Sequence, residues 1–224
     1  GVDLDPTPNA IIVNVTAVND APAGTDKSVS TLEDTAYTFA AGDFGFTDPT
    51  DVPANSLTAV KISSLPGAGT LTHDGVAVSI GQTIALADIT GGLLQFIPAA
   101  NANGAGYASF TFQVQDGGGT ADGGVDLDPT PNAMIVNVTA VNDSPVITTD
   151  TLTILEGQTV VLNSANLATT DIDNSSGQLT YVASNVSGGQ FEFVATPGIA
   201  ITSFTQQQIN GGAVQFVHDH GEYA

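Results

Sequence analysis

The side chains in this sequence that could do chemistry are carboxylates and carboxamides, clustered between apolar runs. Asn19-Asp20 and Asn142-Asp143 each sit in a Val-Asn-Asp-x-Pro segment. Glu33-Asp34 and Glu156 each follow a Leu that ends an alternating run. Asp48-x-x-Asp51 and Asp171-x-Asp173 lie in polar loops, and Asp116 precedes Gly117-Gly118-Gly119. Oxygen ligands of this kind suit calcium, a hard cation that takes about six to eight of them. A site at the second junction would draw on Asn142 and Asp143 from the linker and Asp116 from the end of the preceding domain. Glu156, Asp171 and Asp173 of the following domain would complete it, and ligands from both sides would stiffen the joint. Asn19, Asp20, Glu33 and Asp48 are the matching candidates at the first junction. The competing reading is turn chemistry, because Asp and Asn favour strand ends and turns with or without a metal. Asp3-x-Asp5 and Asp126-x-Asp128 read as solvated Pro-turns ahead of metal binding.

Other chemistries find little support. His218-Asp219-His220 would put two imidazoles on one face of a strand, but no third strong ligand is placed beside them, so the segment reads as a polar loop. His73 lies beside a turn with no partner implied. There is no Cys, hence no disulfide, thiolate site or thiol nucleophile. No Gly-x-Ser-x-Gly elbow or phosphate-cradling Gly loop ahead of a helix is present; an enzyme is not expected. Two basic residues, Lys27 and Lys61, face 23 acidic ones, a net charge of −21. Such a chain has no basic surface to replace phosphate counterions, which excludes nucleic acid and disfavours anionic membranes. No apolar run reaches the length of a membrane span. Self-repulsion at this charge opposes compaction unless cations bind or screen it. Asn14, Asn137, Asn174 and Asn185 head formal glycosylation triplets, so attached glycans stay open.

The elements that must position the acids are strands. Gly1–Pro22 recurs as Gly124–Pro145, with only Ile11/Met134 and Ala21/Ser144 different. Each copy is an acidic turn, a β-branched run and a linker, and repetition at this spacing is the mark of a tandem array. Within the run, Ile11, Val13, Val15 and Ala17 share one face, as in the last strand of a sandwich. Further strands are predicted at 28–32, 36–39, 57–62, 67–72, 77–80, 93–97, 110–115 and 133–141, then at 152–155, 160–162, 179–183, 190–194 and 213–217. One turn of helix is expected near 84–89, and a turn or short helix near 205–209. Phe110, Phe112 and Val114 point inward. With 42% hydrophobic residues, 25 Gly and 11 Pro, the composition is that of a turn-rich all-β chain. The predicted organisation is a terminal strand and linker over 1–22, a sandwich over 23–143, and a second sandwich over 144–224.

The linkers Val18-Asn19-Asp20-Ala21-Pro22 and Val141-Asn142-Asp143-Ser144-Pro145 resemble the cadherin linker motif. Leu155-Glu156-Gly157 and Asp171-Ile172-Asp173 resemble its Glu and Asp-x-Asp ligand motifs. Phe204 to Asn210 with Val214 to Asp219 is similar to the CSPG-type cadherin-like repeat, and Asn101 through Asp143 resembles tandem cadherin-like repeats of giant bacterial surface proteins. The resemblance covers nearly the whole chain. It implies tandem Ig-like/cadherin-like Greek-key β-sandwiches, secreted or on the cell surface, serving adhesion or a stalk, with calcium at the joints. Asp48-Pro49-Thr50-Asp51 departs from Asp-x-Asp, which puts a full first site in question.

Internal correspondence sets a further expectation. Gly91 to Phe96 matches Gly211 to Phe216, Leu57-Thr58 matches Leu179-Thr180, and Tyr107-Ala108 matches Tyr223-Ala224. The second sandwich then stops short of a Phe110-type strand and a terminal strand, while 10–18 is a spare strand of the terminal type. Two arrangements stay open: copies of the chain joined head to tail by strand complementation, or further repeats in one long polypeptide. A domain that binds a ligand or glycan within a surface adhesin is the alternative function; the four Tyr suit core or corner roles better than an exposed platform.

Overall fold

Alternating apolar and polar residues in a Val- and Thr-rich chain favour strands with one buried face. The computed structural model of the chain describes residues 1, 3 and 7–221 and is dominated by such strands. Two compact units divide it, Gly1–Ala140 and Val141–Ala224.

Unit 1 contains β1 (Lys27–Leu32), β2 (Tyr37–Thr38), β3 (Leu57–Ile62), β4 (Thr70–His73), β5 (Val76–Ala77) and β6 (Thr83–Ala85). The single-turn helix α1 (Leu86–Thr90), β7 (Leu94–Ile97), β8 (Gly104–Asp116) and β9 (Asn132–Thr139) complete it. One sheet has the order β1-β9-β8-β3-β6 and the other β2-β7-β4-β5. Their apolar faces share one core, in which Phe39 meets Phe110 edge-on with ring centres 5.6 Å apart and Phe44 meets Phe112 at 5.0 Å. Such ring pairs add about 0.5–1.5 kcal/mol beyond the area they bury. The inward set predicted for 110–114 is buried, and so are Met134, Val136 and Val138 of β9. β9 is the second copy of the repeated run. It lies between β1, to which it pairs in parallel, and β8, to which it is antiparallel.

The first copy behaves differently. A strand is predicted over 10–18, but residues 8–18 form none, and Ile11, Val13 and Val15 are 90%, 77% and 89% exposed. The cause is competition for partners. A strand exists only when its N–H and C=O groups find a neighbour, and the slot between β1 and β8 is already held by β9.

Unit 2 contains β10 (Val146–Asp150), β11 (Thr159–Val161), β12 (Leu167–Thr170), β13 (Thr180–Val182), β14 (Gly189–Phe193), β15 (Ser203–Thr205), the helix α2 (Gln206–Asn210) and β16 (Val214–His218). They form three small sheets, β10-β12, β11-β16-β14 and β13-β15. Thr205 caps α2. Its hydroxyl accepts from the Gln208 N–H at 3.2 Å, and the Gln208 side chain accepts from the Thr205 N–H at 2.8 Å, the reciprocal capping box. The core is thin: Leu162, Phe204, Ile209 and Val214 are buried, while Leu152, Tyr181, Phe191 and Phe193 are only half covered. The strand predicted at 152–155 is not formed. Its counterpart in unit 1, β1, is held by β9, and no strand of that kind occurs among the described residues of unit 2. The Tyr223-Ala224 correspondence and Asp5 lie outside the described residues.

Candidate metal centre

Chain geometry first separates the acids of unit 1 into two ends. β8 is 13 residues long, about 40 Å at strand spacing. Glu33 sits at its Gly104 end, buried, accepting a hydrogen bond from the Asn103 side chain at 2.9 Å, with its own N–H on the Thr139 carbonyl. Asp116 closes the other end. Glu33 and Asp116 therefore cannot serve one ion, and Asp116 belongs to the Asn19 end of the unit rather than to the end at which β9 leaves it.

At that Asn19 end, side chains far apart in sequence converge. The Asn19 amide donates to both oxygens of Asp116, at 3.1 and 3.4 Å, and to the Val125 carbonyl at 2.8 Å. The Asp20 N–H donates to the Asp51 carboxylate at 3.1 Å. The Asn55 side chain donates to Asn19 Oδ1 at 2.6 Å and to Asp51 at 3.2 Å, while its N–H donates to Asp48 Oδ2. The Gly run after β8 makes room for this. A Cβ on Gly118 would lie 1.6 Å from Asn19 Oδ1, and the Gly118 N–H instead caps Asp116 at 2.8 Å.

Unit 2 repeats the arrangement. The Asp143 N–H donates to Asp173 at 2.6 Å, and the Asn174 side chain donates to Asn142 Oδ1 at 2.9 Å and to Asp171 Oδ1 at 3.1 Å. Asp51 thus takes the part of Asp173, and Asn55 that of Asn174, despite one extra residue before Asp51 and three more before Asn55 in the unit 1 loop. Asn55 and Asn174 were missed as site residues from sequence. The signal was there, an Asn following each acidic loop, but two unequal loop lengths hid it. Glu156 is exposed and is not brought to this cluster by any hydrogen bond to Asp171 or Asp173.

The two loops share one unusual feature. Asp48 Oδ1 and Asp171 Oδ2 are buried and meet no hydrogen-bond donor. A buried, undonated carboxylate oxygen is costly, and it occurs at equivalent positions in both units. Burial pushes the Asp171 carboxyl up. The Asn174 side chain and the N–H groups of Asp173 and Asn174 together outweigh burial and hold it below its ordinary value, so it stays an anion. Among the described residues, no group of three or more carboxylates or imidazoles is already gathered closely enough to hold an ion. The candidate ligands are nonetheless all hard oxygens. The residues fit calcium by donor type and by the orphaned oxygens.

The remaining candidates have structural partners. His73, expected to be unpartnered, is held by Asp88 and Gln82. His218 Nδ1 accepts from the N–H groups of Gly157 and His220 at 3.2 and 3.1 Å. Asp128 is buried against the Gly24 and Thr130 N–H groups and the Asn132 side chain. Asn137 is half-buried, accepting from the Gly106 N–H at 2.8 Å and donating to the Val29 carbonyl at 3.4 Å, whereas Asn14 is exposed. Tyr37, Tyr107 and Tyr181 bond Asp43, the Ala99 N–H, and Thr169 with Gln206.

Comparison with known proteins agrees with the all-β fold. A model described as bacterial Ig domain matches residues 19–128, and one described as cadherin-like matches residues 145–224. The chain is built of bacterial Ig-like and cadherin-like repeats. The repeats are similar to segments of much larger proteins. Human chondroitin sulfate proteoglycan 4 is 40% identical over 90 residues, 39% of this chain and 4% of the relative. Mouse extracellular matrix organizing protein FRAS1 is 30% identical over 139 residues, 60% of this chain and 3% of the relative. The chain thus spans only a few per cent of the length of these relatives. No helix among the described residues is long and apolar enough to cross a membrane.

Proposed function

We propose that the chain is a structural segment of an extracellular array of Ig-like and cadherin-like repeats, with calcium bound at the linker end of each unit, serving adhesion or spacing and catalysing no reaction. The observation that carries this reading is the repeated orphaned oxygen at Asp48 and Asp171. A bound cation would neutralise it together with Asp51 and Asp116 in unit 1, or Asp173 in unit 2. Asn19 and Asn142 would turn their amide oxygens to the ion. Calcium supplies charge neutralisation and cross-bracing, locking the Asn-Asp linker onto the acidic loop that follows it. The extracellular assignment draws support from the named relatives and from a charge of −21 that a calcium-rich milieu would offset.

A second reading, a glycan- or ligand-binding domain, has one observation in its favour. A polar groove of about 350 Å³ lies beside Asp171 and Asn174. No aromatic ring lines that groove, so it lacks the stacking surface a sugar would use, and the array reading is preferred.

The test is calcium-dependent melting of the intact chain. Extracellular calcium modules bind in roughly the 0.1–1 mM range, so 10 mM calcium should raise Tm by on the order of 5 °C. Asp48→Asn should remove the part of the rise that belongs to unit 1. An unchanged Tm, with no heat of binding by calorimetry, contradicts the calcium-braced joint.

A further inference from the structure

We propose that Asn103 is a self-modifying residue, whose slow loss of ammonia places a carboxylate against the buried Glu33 and loosens unit 1 at the end where β9 leaves it. Asn103 is followed by Gly104, and the one other Asn-Gly pair in the chain is Asn210-Gly211. In such a pair the glycine backbone nitrogen attacks the side-chain amide carbon of the Asn. A C–N bond forms, the glycine N–H proton passes to the departing amide nitrogen, and ammonia leaves a five-membered succinimide behind. Water then opens the ring at either carbonyl. One opening yields Asp; the other yields an isoaspartyl residue, whose backbone is one carbon longer. No electrons are exchanged, and water is the sole co-reactant.

The two pairs differ in how freely they can cyclise. Asn103 is exposed and lies outside any helix or strand, immediately before β8. A Cβ on Gly104 would meet nothing within 4 Å, so the attacking nitrogen is uncrowded. Gly104 holds φ at +146°, a value that glycine alone adopts readily. Asn210, by contrast, ends α2. The Gly211 N–H donates to the Gln207 carbonyl at 3.0 Å, and Asn210 Oδ1 accepts from the Gln206 side chain at 2.8 Å. The nucleophile and the amide it must attack are both tied to the helix, so its last turn has to open before the ring can close.

Glu33 sets what the reaction changes. The Asn103 side chain donates to Glu33 Oε2 at 2.9 Å, and Glu33 is only 4% exposed. Conversion to Asp removes that donor and puts a second carboxylate in its place, and two carboxylates at hydrogen-bond distance repel, most strongly where one is buried. The isoaspartyl product instead lengthens the chain just ahead of Gly104, which pairs with Val138 of β9. The same turns hold the end of β9: the Glu33 N–H donates to the Thr139 carbonyl and the Asn101 N–H to Asp34 Oδ1, each at 2.9 Å. A one-way chemical change at Asn103 therefore acts on the end of unit 1 from which the linker departs. Glu33 is not among the oxygens proposed above to hold calcium, so this inference stands or falls apart from that reading.

The test is to age the intact chain at mildly alkaline pH and follow it by peptide mapping and mass spectrometry. The peptide carrying Asn103 should gain the mass of an amide-to-carboxylate exchange and split into Asp and isoaspartyl forms, while the peptide carrying Asn210 stays unchanged. Asn103→Gln, whose longer side chain disfavours the five-membered ring, should stop the change. Asn103→Asp, the product made directly, should lower the melting midpoint of unit 1 by on the order of 5 °C, and the aged wild-type chain should show the same shift. An unmodified Asn103 after ageing overturns the proposal, as does equal conversion at Asn210. Melting of both Asn103→Asp and the aged chain at the fresh wild-type midpoint overturns it too.

Discussion

Two stretches of this chain, 10–16 and 133–139, are the same sequence but for one residue, and they adopt opposite states. The second is a core strand of unit 1, with three side chains out of water and both edges paired. The first has the same apolar face in solvent and no ladder. Intrinsic preference cannot account for the difference, because it is shared. Neighbouring backbone decides it: β-propensity expresses fit to a half-buried, paired surface rather than a property of the residues alone. In unit 2, residues 151–155 have a strand-like pattern and a β1-type position, yet they form no strand with any described neighbour.

The largest effect should come from placing one charge in each copy. Val136→Asp would bury a carboxylate in the unit 1 core and cost about 4 kcal/mol or more, read as a lower urea midpoint for that unit. Val13→Asp in the first copy should change the same midpoint by less than about 0.5 kcal/mol. Similar losses from both substitutions would mean that 10–18 is part of a folded core after all, and the contrast between the copies would collapse.

That contrast marks what sequence alone could and could not reveal. The alternation at 110–115 and 133–139 is self-evident because both strands are buried on one face and paired on both edges. The short helices Leu86–Thr90 and Gln206–Asn210 lie where a helical turn was expected near 84–89 and a turn or short helix near 205–209. The strand expected at 10–18 is not formed here, because periodicity reports which face would be buried and carries no information on whether a partner exists. β10 and β12 were overlooked because Val146–Asp150 and Leu167–Thr170 are short and Thr-rich, with weak alternation. Among the site residues, the acids of the loops and linkers were legible as ligand chemistry. The meeting of Asp116 with Asn19 was not, nor the separation of Glu33 from Asn19 and Asp48, because both depend on the length of β8 and on which end of a strand each acid occupies.

A smaller effect separates the two units by pH. In unit 2 the Asp171 carboxyl is held low, burial being outweighed by the hydrogen bonds from Asn174 and Asp173. Glu192 is held low by the Gln190 side chain first, then the Gly198 N–H, against burial. Depressed values stabilise the fold above the ordinary carboxylate range, near pH 4, and that stability is lost as pH falls through the folded values. In unit 1, burial and then the neighbouring Asp43 push the Tyr37 hydroxyl up to about 12. That contribution is complete below pH ~10 and is lost as pH rises toward the folded value. Unit 2 should therefore weaken first on the acid side and unit 1 on the alkaline side. Circular dichroism melts across pH check this. Glu192→Gln should flatten the acid limb and Tyr37→Phe the alkaline one, and limbs unmoved by either change would mean these groups do not set them.

Hydrogen exchange of the dilute wild-type chain, read amide by amide, most directly tests whether one sequence exists here in both a paired and an unpaired state. Residues 132–139 should exchange only through opening of unit 1, while residues 10–18 should exchange at close to the free-peptide rate. Strong protection of 10–18 in the dilute monomer, equal to that of its twin, would contradict the claim.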